Sequence, residues 1–300
     1  MTTRRDFIKR AGFGAGAALA AATGRLESWN NGSIKRAGNE ATSKRASENA
    51  AGREAVARIP FTLGLASYTF RAFDIDQTIA LTLRLGLKAI ALKSFHLPLE
   101  APLDAVKAAG DKVRAAGLDL YGCGVVYMKS EAEIRQAFEY AKAAGMGLII
   151  GVPEHELLPR VEKAVQAYGV KLALHNHGPS DKVYPTPESA YARIRGLDPR
   201  IGLCLDTGHA TRSGLDAGAE IEKYFDRVLD VHIKDVTSAD VRGGPIEIGR
   251  GVMDIPKILR ALVRLGYAAK VGLEYEKDEK DPLPGAAESI GYVRGVLASL

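Results

Sequence analysis

From Pro60 onward the chain alternates two patterns of apolar and polar residues. Short, mostly apolar runs occur at 61–68 (FTLGLASY), 87–93 (LKAIALK), 118–126 (LDLYGCGVV), 146–152 (MGLIIGV), 171–177 (KLALHNH), 201–207 (IGLCLDT), 228–234 (VLDVHIK) and 270–276 (KVGLEYE). Between them lie stretches of about 10–16 residues whose apolar positions fall three and four apart, the period of a helix packed on one face. Eight such units in about 240 residues predict an α/β fold, a (β/α)8 barrel forming one domain over 60–300. A doubly wound open sheet is the rival, but it calls for a Gly-rich phosphate turn after its first strand. The segment 67–73 (SYTFRAF) is not one.

The intervening helices carry recognisable ends. Ser130 and Glu133 predict a capping box, followed by a stripe of Ile134, Ala137, Phe138 and Ala141. Asp254 is placed to cap a helix whose stripe is Ile255, Ile258, Leu259, Leu262 and Leu265, with Gly266 ending it. Thr186-Pro187 starts another with Pro at the first helical position, and Gly86 and Gly145 sit at helix-to-strand turns.

The first 60 residues follow neither pattern. Arg4-Arg5 with Phe7, then the weakly apolar run AGFGAGAALAAAT (11–23), predict a twin-arginine-type signal peptide over 1–24. The run is too short to predict a membrane span. Residues 25–59 read as a flexible polar linker, which holds the only Trp, Trp29. An exported, periplasmic protein is therefore expected, with no stable membrane insertion after signal removal. Charge follows the same boundary. Residues 1–60 hold 11 Lys and Arg against 5 Asp and Glu, while the remaining residues hold 30 against 31. The overall +5 thus belongs to the leader and linker, and the near-neutral barrel argues against a nucleic-acid partner. Two cysteines exclude a disulfide scaffold and a cysteine-based zinc cluster.

The chemistry-bearing residues concentrate in one place. All six histidines (His96, His155, His175, His177, His209 and His232) fall at or just past the end of an expected strand. In such a barrel that end carries the active site. Strand alternation puts Ala173, His175 and His177 on one face, Cys204 and Asp206 on another, then Asp230, His232 and Lys234, and Gly272, Glu274 and Glu276. Charged residues on strands buried on both sides are costly unless paired or metal-bound. The interior can therefore gather His175, Asp206, His232 and Glu274 into a ring suited to one divalent ion. Two imidazoles and two carboxylates favour Mn, Co, Zn or Fe(II) over Mg. Structural alternatives stand beside each residue. Asp206 could cap the turn at Thr207-Gly208, and His232 could be a satisfied core histidine. Glu274 and Glu276 could pair with Lys270 or Lys277. His96 could close a loop against Leu97-Pro98, and His155 could open a helix after Pro153-Glu154. Lys93 and Lys234 could hold an anionic substrate or lie on the surface.

At these residues the sequence resembles the xylose isomerase-like TIM-barrel superfamily. That group includes sugar isomerases and epimerases, inosose dehydratases and the endonuclease IV family. The matching motifs are LCLDTGHA (203–210), VHIKD (231–235), Gly249-Arg250-Gly251-x-x-Asp254 and VGLEYE (271–276), in this order. The resemblance covers 60–300. It implies metal ligands at Asp206, His232 and Glu274, His209 near substrate, and Arg250 in a connection that closes over substrate in relatives. One departure stands out. Sugar 3-epimerases of this group carry a Glu on the fifth strand, where this chain has Leu174-His175-Asn176-His177.

Two reactions are therefore expected in order. The first is a sugar isomerase or epimerase acting through an enediolate on a sugar or keto-sugar. Glu274, or a neighbour such as Glu154 or His177, would move the proton, with His209 and Lys234 on hydroxyls or the oxyanion. His96, His177, Glu154 and Arg250 complete the expected substrate contacts. The second is a lyase or dehydratase, in which a β-leaving group departs after enolate formation. An endonuclease IV-like nuclease would need more ligands on the second to fourth strands, and a non-catalytic sugar-binding barrel would lack bound metal. The expected partner is a small carbohydrate, and the sequence leaves a homo-oligomer open.

Overall fold

The computed structural model describes residues 59–300, so the expected signal peptide, most of the expected linker and Trp29 lie outside the described residues. Eight parallel strands close into a barrel. They are β1 (Thr62–Ala66), β2 (Ala89–Leu92), β3 (Asp119–Met128), β4 (Leu148–Pro153), β5 (Lys171–His175), β6 (Ile201–Asp206), β7 (Val228–Ile233) and β10 (Lys270–Leu273). Around the barrel the order is β1-β10-β7-β6-β5-β4-β3-β2. Two short strands, β8 (Asp235–Val236) and β9 (Pro245–Ile246), pair antiparallel in the connection after β7. This is the (β/α)8 fold expected from the alternating pattern.

Alternation along each strand separates an inner and an outer core. On β2, Ala89 and Ala91 join Tyr121, Leu148, Ile150, Ala173 and Cys204 inside the barrel, while Ile90 and Leu92 pack outward under the helices. The helices close the outer layer with the expected stripes. In α3 (Glu131–Ala144) the residues Ile134, Ala137, Phe138 and Ala141 are buried. In α8 (Ile255–Arg264) Ile255, Ile258, Leu259 and Leu262 are buried. Truncating the fully buried Phe138 to Ala would cost about 3–5 kcal/mol, from lost transfer energy and the cavity left behind. Among the described residues no helix is long and apolar enough to cross a membrane.

The expected caps hold with one correction. Asp254 accepts from the Lys257 amide, and Thr186 and Ser189 form a reciprocal box at the start of α5 (Pro187–Ile194). Ser130 accepts from Glu133 N, but the Glu133 carboxylate turns back to Lys129 N, not Ser130 N, so that box is half formed. Every barrel strand but β3 is shorter than its apolar run. β5 stops at His175 and β10 at Leu273, where the paired registers end, with the Glu274 amide making one further bond to Ile233 O at 3.2 Å. His177, Glu274 and Glu276 therefore stand on the loops that leave the barrel.

Candidate active site

Strand register brings the polar residues to one level. Asp206 lies opposite His232 on β6 and β7, His232 opposite Gly272 on β7 and β10, and His175 opposite Cys204 on β5 and β6. Asn176 brackets the rim like one more rung of the ladder. Its Oδ1 accepts from Asp206 N at 2.9 Å, and its Nδ2 donates to Asp206 O at 3.1 Å. Asp206 does two things at once. One carboxylate oxygen, Oδ1, accepts from His209 N at 2.8 Å and caps α6 (Thr207–Arg212), as the capping alternative anticipates. The other, Oδ2, points into the barrel mouth, where its neighbours are the ion-pair contacts of Lys234 and His175.

Four buried side chains converge around that oxygen. His175, Asp206, His232 and Glu274 each offer one donor atom, and all four atoms lie within 4.8 Å of one another. His175 Nε2 is 3.2 Å from His232 Nδ1 and 3.5 Å from Asp206 Oδ2, and His232 Nδ1 is 3.3 Å from Glu274 Oε2. Bonds of about 2.1 Å to a tetrahedral ion would set neighbouring donors about 3.4 Å apart, so this set fits one. Lys234 Nζ closes the same group, 2.9 Å from Asp206 Oδ2 and 2.7 Å from Glu274 Oε2, and it also contacts Glu276. Only glycine at 208 allows this, since a Cβ there would lie 2.5 Å from Lys234 Cγ.

Charge and burial set the protonation states. Burial alone would raise Asp206 and Glu274, yet Lys234, with neighbouring cations, holds both well below the usual carboxylate range. Burial would lower Lys234, but Asp206, Glu274 and Glu276 push it well above an ordinary lysine. Burial keeps His175 neutral, and it lowers His177 to about 4. Burial would also lower His232, but Glu274, Asp230 and Asp206 outweigh it and raise this imidazole. Cys204 is held as a thiol by burial and by Asp230, so it is a poor metal ligand. Around the group, the carboxylates of Asp206, Asp230, Glu274 and Glu276 face the ammonium groups of Lys93 and Lys234. With the imidazoles neutral, as ligation of an ion would require, two negative charges remain, which one divalent ion would neutralise.

The other expected residues divide clearly. His177 lies beside His175, ring centroids 4.3 Å apart, and stacks on Tyr127 at an interplanar angle of 13°. The His209 ring is 5.9 Å from that of His175, and its Nδ1 has no partner. Lys93 Nζ reaches Glu274 Oε1 at 3.4 Å, from the far side of the mouth. His96 does not join them. Its Nε2 donates to Phe70 O at 3.1 Å beside Thr78 Oγ1, and its Nδ1 meets Ser67 Oγ at 2.9 Å. Both ring nitrogens are spent, leaving none for a substrate. Arg250 is exposed and paired with Glu288. His155 bonds Val183 O at 3.0 Å in a turn before α4 (Leu158–Tyr168), and Glu154 precedes it on the same loop, half-buried.

Three features escape a reading of sequence alone. Glu276 pairs with Lys234, whereas Lys270 binds Asp119 and Lys277 binds Glu247, so the expected partners are corrected. Asp235, the last residue of VHIKD, organises the Gly249–Met253 connection. It accepts from Gly249 N at 2.9 Å, Gly251 N at 3.1 Å and Met253 N at 3.3 Å. A Cβ on Gly251 would lie 2.1 Å from Asp235 Oδ1, which explains the glycine. Asp230 lies beneath His232, fully buried. Strand alternation put it on the right face but gave it no task.

Comparison with known proteins follows this geometry. The profile of the xylose isomerase-like TIM barrel matches residues 79–296. Inosose dehydratase of Salmonella typhimurium (strain LT2) is 30% identical over 161 residues, covering 47% of this chain and 52% of that protein. The chain thus spans about half the length of the curated relatives it matches. Among solved structures, L-ribulose 3-epimerase superposes with a TM-score of 0.65 at 19% identity, covering 80% of this chain and 95% of that one. The IOLI protein, solved with a zinc atom, superposes with a TM-score of 0.64 at 17% identity, covering 80% and 98%. At these identities the two structures speak for the fold alone.

Proposed function

The chain belongs to the xylose isomerase-like TIM-barrel family, and from that premise we propose that it is a divalent-metal-dependent enzyme of the sugar isomerase or epimerase type, acting on a sugar or keto-sugar. The observation that carries this is the convergence of four buried donor atoms within 4.8 Å on the catalytic rim of the barrel. His175, Asp206, His232 and Glu274 would hold the ion, and the imidazoles favour Mn, Co, Zn or Fe(II) over Mg. When bound, such an ion supplies Lewis-acid polarisation of a carbonyl and its neighbouring hydroxyl, which acidifies the C–H between them.

The protein's own residues do the rest. Glu274 divides its oxygens, with Oε2 in the donor group and Oε1 toward Lys93, so Oε1 is placed to carry a proton at the mouth. His177, neutral at physiological pH, is the second candidate base. The Lys234 ammonium stays charged and would donate to the developing oxyanion. His209, with Nδ1 unengaged, would bind a substrate hydroxyl. His96 drops out of the substrate contacts, because both its ring nitrogens are already engaged within the protein, and Arg250 stays a candidate on its exposed connection. We also propose export through the Arg4-Arg5 signal, tested by whether Arg4→Lys with Arg5→Lys keeps the protein in the cytoplasm of a bacterial host.

One observation supports a second reading. The fifth-strand donor is the imidazole His175, so β5 offers no carboxylate to act as the opposed base of an epimerase. A single acid–base group suffices for elimination: Glu274 or His177 takes the C–H proton and then returns it to the β-hydroxyl, whose C–O bond breaks so that it departs as water. The inosose dehydratase relative points the same way. Metal analysis followed by a keto-sugar screen separates the two by product mass. An isomer keeps the substrate's mass, and a dehydrated product is lighter by one water. No turnover with metal bound would overturn both.

A further inference from the structure

Beneath the donor group lie the buried His232 ring and the buried Asp230 carboxylate, each with one polar atom that has no hydrogen-bond partner. His232 turns Nδ1 toward His175 and Glu274, which leaves Nε2 on the inner side of the barrel. There Nε2 has no hydrogen-bond partner, and the nearby Asp230 Oδ1 has none either. Asp230 Oδ2 lies 3.6 Å from His232 Nε2, an ion-pair distance and longer than a hydrogen bond. Its other side-chain contact is Cys204, whose Sγ donates to Oδ2 at 3.5 Å. Both residues are fully buried, so no solvent reaches the gap. A buried carboxylate is costly without a cationic partner, and among the described residues the group at ion-pair distance from it is the His232 ring. The neighbouring strand leaves room for this arrangement. A Cβ on Gly272 would lie 3.0 Å from the Tyr121 hydroxyl and 3.8 Å from His232 Cδ2.

We propose that Asp230 is a positioning residue that fixes His232 with Nε2–H toward its own carboxylate, leaving the Nδ1 lone pair free for a divalent cation. A carboxylate behind a ligating imidazole sets the tautomer and ring orientation and raises the basicity of the other nitrogen. His175 provides the internal contrast. Its outward nitrogen, Nδ1, also lacks a hydrogen bond, yet no carboxylate stands behind it among the described residues. The two imidazoles thus contribute unequally, with His232 the stronger donor. The inference rests on the metal-binding reading above, and it adds a residue that touches neither substrate nor metal.

The test is Zn²⁺ affinity, measured on the metal-free protein by competition with a chromophoric chelator, together with the melting temperature of each metal-free form. Asp230→Ala is expected to weaken Zn²⁺ binding about 10–100-fold. Asp230→Asn keeps an oxygen that can accept from Nε2–H, so it is expected to lose less. A purely structural role would lower the metal-free melting temperature without this graded loss of affinity. Long-range ¹H–¹⁵N NMR of the zinc-loaded wild type reads the His232 tautomer directly, and decides the matter if the alanine variant does not fold. A proton on Nε2 is expected, and a proton on Nδ1 overturns the proposal. Wild-type binding with both variants within about twofold overturns this proposal alone. No Zn²⁺ binding by the wild type overturns it together with the metal reading.

Discussion

Two buried histidine sites in this barrel look alike by burial and differ in everything else. At the end of β2, His96 is enclosed by neutral partners, Ser67, Thr78 and the Phe70 carbonyl, and both ring nitrogens are satisfied. At the ends of β5 and β7, His175 and His232 face carboxylates and a lysine, and each keeps a nitrogen with no hydrogen-bond partner. Burial and position do not tell a ligand from a strut. The accounting of hydrogen bonds does, because a satisfied imidazole has nothing left to offer. The first site ties the loop after β1 to α1 (Ile75–Arg84) and the loop after β2. The second concentrates charge that only a cation can balance.

The comparison breaks most visibly at the donor group. His232→Ala is expected to weaken metal binding by more than about 100-fold, beyond the range seen when only an outer hydrogen-bond partner is lost. Isothermal titration of the metal-free protein checks this, and an unchanged affinity would put His232 in the same class as His96. Lys234→Met comes next. It removes the ammonium that compensates Asp206 and Glu274, so the metal-free protein should lose about 3–5 kcal/mol in denaturant unfolding. The metal-loaded protein should lose much less, since the ion supplies the missing charge. Equal losses in both forms would show that Lys234 and the ion do not share a role.

His96→Ala should behave in the opposite way. It strands the Ser67 and Thr78 hydroxyls and the Phe70 carbonyl, costing about 1–3 kcal/mol of stability, while metal affinity stays within about twofold. A large loss of affinity would erase the distinction between the two sites. The last effect is one of pH. His177 is lowered by burial to about 4 in the folded chain, against about 6.5 when unfolded. Between those values the unfolded chain binds the extra proton. The contribution to stability is therefore complete above about pH 6.5 and is lost as pH falls toward 4. His177→Gln should flatten that limb of the metal-free stability profile, and an unchanged limb would contradict the assignment.

The fold and the site were legible to different depths. Eight apolar runs separated by helical stretches mark the barrel, because strands buried on both faces must read as continuous apolar segments. Strand alternation groups His175, Asp206, His232 and Glu274, whose donor atoms converge in the structure. The pairing of Glu276 with Lys234 was not legible, since it depends on where the loop after β10 turns once the ladder ends. The same holds for His96, whose partners Ser67 and Thr78 come from two other segments. The β8–β9 hairpin has two residues per strand, too few for any period to show. Asp235 shows how a residue inside a motif can serve the backbone. It sits next to Lys234, yet its carboxylate is taken up by amides of the following connection.

The central claim is that the donor group holds one divalent ion, and metal content tests it most directly. The barrel, dialysed against Zn²⁺ or Mn²⁺ and then against metal-free buffer, should retain about one ion per chain by elemental analysis. The Asp206→Ala, His232→Ala double variant, with an unaltered far-UV circular dichroism spectrum, should retain none. Retention of the same amount by both proteins, or of no ion by the wild type, would contradict the account.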